Sequence, residues 1–372
     1  MTLAKTYDGP ILVQCVTQKG KGYQPARAHP EKFHGAGPFQ VSTGEPLRRE
    51  WGPSFSSVFG GAMIKIARKD EKILAITAAM GEGTGLKEFS EKLPERFFDV
   101  GIAEQHAVTF AAGLAIAGFK PVVAIYSTFL QRAYDQVYHD VALMDLPVVF
   151  ALDRAGIVPD DGPTHQGVND IAFLRHMPNM IVMAPKDENE LQHMLWSALS
   201  YGHPASVRFP KAKGLGVALD DDLRTIPPGQ SELLKDGRDL LFAFGSMVAP
   251  ALEAAQALEK EGFSLAVVNA RFAKPLDREM ILRFARPGAT IVTAEEGILE
   301  GGAGSAVREL LDREGRFDIR FKAIGLPLEP YPLGKTDEIR AFVGLDAAGL
   351  VRQIKDLNRV PIRSHGDERT CG

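Results

Sequence analysis

The hydrophobic pattern becomes regular from residue 55 onward, where short apolar runs alternate with longer amphipathic segments. Apolar runs of roughly four to eight residues are typical of buried strands, and the longer segments carry the period of helices. This alternation indicates a parallel sheet covered on both faces. In the first half it predicts strands at 73–77, 96–100, 121–126, 147–152, 180–184 and 205–207, and helices at 55–69, 107–115, 129–144 and 188–201.

A second α/β pattern begins after a polar segment. Residues 211–231 contain three consecutive aspartates and a Pro-Pro-Gly turn, which is typical of an interdomain linker. We therefore predict two consecutive parallel-sheet α/β domains, at 51–210 and 232–360, and a frayed polar tail at 361–372. The second domain should contain strands at 240–244, 264–269, 290–294 and 321–325, and helices at 248–261, 278–284 and 303–311.

The first 50 residues do not follow this pattern. Residues 10–17 predict a buried strand of a parallel sheet, and 18–50 predict an irregular connector. A domain rarely begins at its central strand. We therefore expect residues 1–50 to be the remnant and connector of an N-terminal domain that this chain lacks; an extended arm is the alternative.

Composition narrows the classes of protein. A net charge of −4 gives no reason to expect nucleic acid or an anionic membrane as partner. Cys15 and Cys371 do not make a disulfide framework, so a reducing compartment is the simpler interpretation. No run approaches the ~20 apolar residues of a membrane span, and the N-terminus lacks an apolar signal core. We expect a cytoplasmic protein.

Glu104 is the most informative single residue. It precedes a run of small apolar residues at 107–115 with the composition of a buried helix. A carboxylate at the mouth of such a helix is costly unless something pairs with it. It is either a structural carboxylate favoured by the helix dipole or a group that shares a proton with a ligand.

The wider sequence resembles a known family. Glu104-Gln105-His106, the segment 124–136, Asp153-Arg154-Ala155-Gly156 and the segment 161–167 are similar to the pyrimidine-binding domain of transketolase-like thiamine diphosphate enzymes, and within them to the 1-deoxy-D-xylulose-5-phosphate synthase family. The resemblance covers nearly all of the chain. It implies a pyrimidine-binding domain followed by a transketolase C-terminal-like domain, in a homodimer. The family's diphosphate and Mg²⁺ motif, Gly-Asp-Gly followed by Asn, is not found, so we expect those ligands in the absent N-terminal domain.

The resemblance assigns the cofactor side of the site. Glu104 would share a proton with the aminopyrimidine ring of thiamine diphosphate, and Phe129 would stack on that ring, although a core aromatic is the commoner fate. Arg132 is a cofactor candidate whose alternative is a solvated helix arginine. Lys19 and the catalytic candidate His34 match family positions in the N-terminal arm.

The substrate side is assigned in the same way. Tyr126 lies at the carboxyl end of a strand, where ligands gather in open parallel sheets. Arg154 and Arg208 follow strands and would hold the phosphate of glyceraldehyde 3-phosphate; a surface charge or a structural ion pair is the alternative. Asp161 and His165 lie in a Gly- and Pro-rich loop, where His165 would contact the substrate carbonyl or hydroxyl and a solvated turn is the alternative.

The other motifs are weaker indications of function. Residues 81–85 are not a dinucleotide-binding loop, and 301–305 predict tight strand-to-helix packing. No cluster has metal-ligand spacing in the sequence. The implied reaction, a two-carbon transfer, condenses pyruvate with D-glyceraldehyde 3-phosphate with loss of CO₂ and feeds isoprenoid, thiamine and pyridoxal synthesis. Two alternatives stay open: a subunit of a split transketolase or a pyruvate dehydrogenase β-type subunit, and a degenerate fragment that only dimerises.

Overall fold

The computed structural model describes residues 2–30, 32–33, 36–47, 53–159 and 161–359. The chain divides into two compact units, Met1–Gly52 and Pro53–Gly372. The first unit contains two short helices and an antiparallel pair of two-residue strands: α1 (Thr2–Lys5), α2 (Gln24–Ala28), β1 (Phe39–Gln40) and β2 (Glu45–Pro46).

The predicted strand at 10–17 is wrong. These residues form no helix or strand, and their apolar side chains are exposed, with Leu12 at 93% and Val16 at 89%. An isolated apolar run cannot satisfy its backbone groups as a strand without a neighbouring strand. The described part of 18–50 is largely irregular, as predicted.

The second unit is built on two sheets. Their strands are β3 (Ile73–Thr77), β4 (Phe97–Asp99), β5 (Lys120–Tyr126), β6 (Val149–Asp153), β7 (Ile181–Met183), β8 (Ala205–Arg208), β9 (Glu232–Lys235), β10 (Asp239–Ala243), β11 (Leu265–Asn269), β12 (Phe272–Lys274), β13 (Thr290–Ile298) and β14 (Arg320–Leu326). The seven-stranded sheet has the order β12-β7-β8-β6-β5-β3-β4, and the five-stranded sheet has the order β14-β13-β10-β11-β9. Strands β12 and β9 are antiparallel to their neighbours, and the other pairs are parallel.

Helices cover the sheets as the alternating pattern predicts. They are α3 (Phe55–Ala67), α4 (Lys87–Lys92), α5 (Glu104–Ile116), α6 (Ser127–Leu130), α7 (Tyr134–Gln136), α8 (Asp170–Leu174), α9 (Glu188–Ala198), α10 (Val248–Glu259), α11 (Arg278–Phe284), α12 (Ala303–Arg313), α13 (Thr336–Val343) and α14 (Ala347–Arg359).

Two helix predictions need correction. The single helix expected at 129–144 is a succession of α6, a 3₁₀ turn at Gln131–Ala133, α7 and a π-helix at Val137–Ala142. The helix expected to be buried at 107–115 is α5, and only one of its faces is buried. Its other face, which includes Thr109, Gly113 and Ile116, is exposed. A helix can present small apolar residues on both faces, and composition alone does not say which face another element covers.

The second half of the chain also contributes to the first sheet. Strand β12 pairs with β7, where Phe272 lies opposite Met183. Phe272 is fully buried and belongs to the same apolar core as the helices α3 and α9. The two sheets are therefore tied together by a strand that sequence order assigns to the second half. Among the described residues, no helix is long and apolar enough to cross a membrane.

The polar segment after β8 is anchored by one buried carboxylate. Glu188, in the first turn of α9, is fully buried. Its carboxylate accepts hydrogen bonds from the backbone N–H groups of Leu215, Gly216 and Val217 at 2.7–2.9 Å. Charge-assisted bonds to a buried carboxylate are strong, and a helix N-terminus also favours the negative charge. A segment with linker composition is thereby held against α9.

We predict that Glu188→Ala destabilises the chain by about 2–4 kcal/mol, because three backbone donors lose a charged acceptor. Guanidinium unfolding of the purified chain measures this loss. Glu253→Ala, which removes an exposed glutamate from α10, is the matched control and should change the free energy of unfolding by no more than about 0.5 kcal/mol. Equal stability of the two variants would contradict the anchoring role.

Candidate active site

The predicted site residues meet at the carboxyl edge of the seven-stranded sheet. Strands β3, β5, β6 and β8 are neighbours and run parallel, so their carboxyl ends share one edge. Tyr126 at the end of β5 lies opposite Asp153 at the end of β6, and Leu152 lies opposite Arg208 of β8. This is the edge at which open α/β sheets bind ligands.

Three aromatic rings form a row at this edge. Helix α6 begins directly after Tyr126 and carries Phe129 back over it, with ring centroids 5.7 Å apart and planes 21° from parallel. The imidazole of His165 meets Phe129 edge to face at 5.2 Å. Phe129 and His165 are half-buried, so this row lies next to solvent.

Arg154 extends the row on the other side. Its guanidinium lies 3.6 Å from the centroid of the Tyr126 ring, and it donates to the carbonyl of Gly83 at 2.9 Å and to Asp153 at 3.1 Å. Its Nε is buried and has no hydrogen-bond partner in the described part of the chain. Its φ of +59° places a non-glycine residue in the left-handed region, which costs of order 1–2 kcal/mol and is common at functional sites.

The strained backbone is supported by glycine and by a buried acid. A Cβ at Gly83 would meet the Tyr126 hydroxyl at 1.8 Å, so the Gly83 backbone can approach Arg154 only without a side chain. Asp153 is fully buried and accepts a 2.5 Å hydrogen bond from Ser56. Burial raises the pKa of Asp153 to about 6, although Arg154 and Ser56 favour its ionised form. Asp153 was not among the predicted site residues, although it stands at the end of a strand in the motif Asp153-Arg154-Ala155-Gly156.

Glu104 begins α5 and is only 2% exposed. Its Oε2 lies 3.3 Å from Nη1 of Arg132, whose side chain is 56% exposed. The change from α6 to a 3₁₀ turn places Arg132 opposite the N-terminus of α5. A buried carboxylate with one long contact to a solvent-facing guanidinium fits a group that receives a hydrogen bond from a ligand as well as it fits an ion pair.

Asp161 and His165 lie in one closed loop, which we call the site loop (residues 156–159 and 161–167). Its ends pair through the backbones of Gly156 and Gly167. The Gln166 side chain bonds both backbone groups of Val158, at 2.8 and 2.9 Å, and thereby braces the loop from inside. Neither Gln166 nor this closure was predicted from the sequence.

Lys211 is a further cation at this loop. Its Nζ lies 2.6 Å from Asp161, and its side chain is 34% exposed. Lys211 was not among the predicted site residues, because it lies in the segment predicted as a linker, where a lysine carries no signal of its own. Lys211 is more accessible to solvent than Arg154, whose side chain is only 12% exposed.

Arg208 is enclosed instead. Its side chain is 4% exposed, its Nε donates to Asp170 at 2.8 Å, and its Nη2 donates to the carbonyl of Glu296 at 3.0 Å. A phosphate contact would require this buried ion pair to open. These contacts match the structural alternative for Arg208, and its phosphate contact stays a prediction.

The roles of two further predicted residues, Lys19 and His34, stay predictions. His34 lies outside the described residues, and Lys19 belongs to the first unit. Within the described ranges there is no group of three or more His, Cys, Asp or Glu side chains that could hold a metal ion.

Comparison with known proteins identifies both halves of the second unit. Residues 52–214 match the family Transketolase, pyrimidine binding domain, and residues 229–350 match Transketolase, C-terminal domain.

Curated relatives are similar over nearly all of the chain. The 1-deoxy-D-xylulose-5-phosphate synthase 1 of Geobacter sulfurreducens is 57% identical over 349 residues, which are 93% of this chain and 55% of the relative. The 1-deoxy-D-xylulose-5-phosphate synthase of Heliobacterium modesticaldum is 54% identical over 358 residues, 96% of this chain and 55% of the relative. The chain thus spans about half the length of the curated relatives it matches.

Solved structures agree with the sequence matches. A split-gene transketolase, described as an inactive β4 tetramer, is similar with a TM-score of 0.73 and 32% identity over 84% of this chain and 100% of that chain. The transketolase of Campylobacter jejuni shares the fold with a TM-score of 0.66 and 23% identity, over 82% of this chain and 46% of that one. The chain therefore belongs to the transketolase family, and its pyrimidine-binding and C-terminal domains are similar to those of 1-deoxy-D-xylulose-5-phosphate synthases.

Proposed function

We propose that this chain supplies the pyrimidine-binding half of the active site of a cytoplasmic 1-deoxy-D-xylulose-5-phosphate synthase. This enzyme condenses pyruvate with D-glyceraldehyde 3-phosphate and releases CO₂. The proposal rests on one observation: the sheet edge that carries the aromatic row from Tyr126 to His165 and the Arg154 guanidinium also carries the buried Glu104. The chain is 57% identical to a synthase of that name.

The donor set fits the aminopyrimidine half of thiamine diphosphate. Glu104 would hold a proton between its carboxylate and a ring nitrogen, Phe129 would lie against the ring face, and Arg132 would neutralise Glu104 when no cofactor is bound. When bound, thiamine diphosphate supplies the electron sink that decarboxylation of a 2-oxo acid requires. The diphosphate and its Mg²⁺ would be held outside the described residues, and we propose Lys19 and His34 as further contacts on that side.

We propose the contacts to the acceptor substrate, glyceraldehyde 3-phosphate, from the charges and positions of the side chains at this edge. Arg154 has a buried Nε without a partner and a flat guanidinium fixed on Tyr126, so it is ready to bind a phosphate oxygen. His165 would exchange a proton with the substrate carbonyl or hydroxyl, because an imidazole ring can both donate and accept a proton. Asp161, paired with Lys211, would orient the substrate hydroxyls.

One comparison favours a second candidate function. The split-gene transketolase chain is covered over its whole length by this chain, which shows that these two domains also occur as a separate polypeptide. A subunit of a split transketolase would use the same Glu104 and Phe129 with a different acceptor. Acceptor preference in a reconstituted enzyme separates the two candidates.

We also propose a homodimer. The exposed face of α5 contains Thr109, Gly113 and Ile116, and Ile102 and Phe119 at the two ends of the helix are 78% and 39% exposed. Exposed large apolar side chains such as Ile102, Ile116 and Phe119 are typical of a protein interface when they lie together. Contact between two copies of this face would bury it.

Activity should depend on Glu104. We expect that the chain alone forms no 1-deoxy-D-xylulose 5-phosphate, and that fusion to the portion of the Geobacter sulfurreducens relative that this chain does not span gives turnover. Glu104→Gln should abolish that turnover, together with exchange of the cofactor's thiazolium proton in deuterated water, because the amide cannot share the proton. Glu91→Gln, an exposed glutamate of α4, is the control. Full activity of Glu104→Gln would refute the assignment.

Arg154→Ala should change acceptor preference. Losing a charge-assisted phosphate contact costs roughly 1.5–3 kcal/mol, so KM for glyceraldehyde 3-phosphate should rise about 10- to 150-fold. KM for unphosphorylated glyceraldehyde should change little. Steady-state kinetics of the fused enzyme with both acceptors measure the difference, and equal losses for the two would contradict a phosphate role.

Arg208→Ala is the contrasting variant of this experiment. It leaves Asp170 buried without its partner and should lower the free energy of unfolding by about 3–5 kcal/mol. If the variant stays folded and its KM rises only for glyceraldehyde 3-phosphate, the predicted phosphate contact of Arg208 is confirmed and its purely structural role is wrong.

Gly113→Arg should dissociate the dimer. A Cβ at Gly113 meets no atom within 4 Å, so the substitution fits the isolated chain but not a packed interface. Gly61→Arg is a matched control, since Gly61 is an exposed glycine inside α3 with equally open space. Sedimentation velocity at micromolar concentration should show dimers for the parent and Gly61→Arg and monomers for Gly113→Arg. Dimers of all three would place the interface elsewhere.

A further inference from the structure

The base of the site loop rests on a strand of the second sheet. Gly156 and Gly167 close the loop through two backbone hydrogen bonds of 2.7 and 3.0 Å. Directly against Gly156 lies Glu296 of β13, which is 1% exposed. A Cβ added at Gly156, whose φ is +83°, would meet Oε2 of Glu296 at 2.5 Å. The loop base and this carboxylate are thus in van der Waals contact across the two sheets.

The carboxylate itself is fixed from the C-terminal domain. Arg340 of α13 donates from its Nε to Oε1 of Glu296 at 2.9 Å, and Ser246, just before α10, donates to Oε2 at 2.8 Å. Both oxygens therefore have a partner, and the side chain is held in one position. A buried carboxylate with two such partners keeps one position, so it constrains the backbone of Gly156 that packs against it.

The backbone of β13 bonds to the other end of the loop base. The carbonyl of Glu296 accepts from Nη2 of Arg208, which also reaches the Gly167 carbonyl at 3.4 Å. The N–H of Ile298 donates to the carbonyl of Val168 at 3.0 Å. The residues that follow the site loop are therefore hydrogen-bonded to the same strand whose side chain packs on Gly156.

We propose that Glu296, held by Arg340 and Ser246, is a positioning residue that sets the orientation of the site loop and hence of His165 and Asp161. The C-terminal domain would then take part in substrate recognition without contributing a group that touches substrate. The functional consequence rests on the proposed function, whereas the effect on the loop is a property of this chain alone.

The experiment uses the full chain without cofactor or substrate. Arg340→Met removes one partner of Glu296, and Arg340→Lys keeps a charge that can replace it. Ser246→Ala removes a single neutral hydrogen bond and serves if Arg340→Met does not fold. Arg278→Met is the control, because Arg278 also pairs with a glutamate, Glu314 at 2.7 Å, but its side chain is on the surface.

Two readouts report the loop. Hydrogen exchange measured by mass spectrometry follows the amides of 156–168, and ¹³C-histidine NMR follows the His165 ring, whose shift depends on the Phe129 ring 5.2 Å away. The His165 signal is assigned with His165→Gln. We expect at least tenfold faster exchange of the loop and a displaced His165 signal in Arg340→Met, a smaller change of the same kind in Ser246→Ala, recovery in Arg340→Lys and no change in Arg278→Met.

An unchanged loop and an unchanged His165 signal in folded Arg340→Met or Ser246→Ala would overturn the proposal. A uniform rise in exchange across both sheets would also overturn it, because Arg340 would then only support the fold. Neither readout needs catalysis, so failure of the proposed synthase activity leaves this test intact.

Discussion

The buried pair of Arg208 and Asp170 is the interaction on which the rest of the structure depends. Arg208 is the last residue of β8 in the first sheet, and its partner Asp170 is the first residue of α8. The Nη2 of Arg208 also donates to the Glu296 carbonyl of β13 in the second sheet. A buried ion pair adds little net stability over an apolar pair, but removing one partner is strongly destabilising. In addition to strand β12, the two sheets are therefore joined by a buried ion pair whose loss is costly.

The candidate active site contains charged side chains that are buried without a full set of hydrogen-bond partners. Asp153 has a raised pKa because burial outweighs its contacts with Arg154 and Ser56, and Arg154 keeps an unpaired Nε beside a strained backbone. On β13 burial likewise raises the pKa of Glu295 to about 7, although the N–H groups of Ala303 and Gly304 bond its carboxylate. Such groups persist because the parallel strands around them fix their positions.

The predictions that succeeded depend on local pattern. Strand 73–77 and helix 278–284 have the predicted bounds, since a fully buried parallel strand is apolar throughout and a helix between polar caps keeps its period. The run at 10–17 is as apolar as a strand but is exposed, because a strand exists only with a neighbour. The change of helix type after Leu130 also has no signal in the periodicity of 129–144.

The sequence by itself determined the α/β class, the family and the residue types at the strand ends, because these follow from apolar period and from motifs that stand close together in the chain. Only the tertiary structure decided which side chains near those strand ends are accessible to solvent. It enclosed Arg208 against Asp170 and Glu296, left Lys211 facing Asp161, and set the site loop on a strand more than a hundred residues away. Such choices depend on which surfaces the packed elements cover, and no local pattern contains that information.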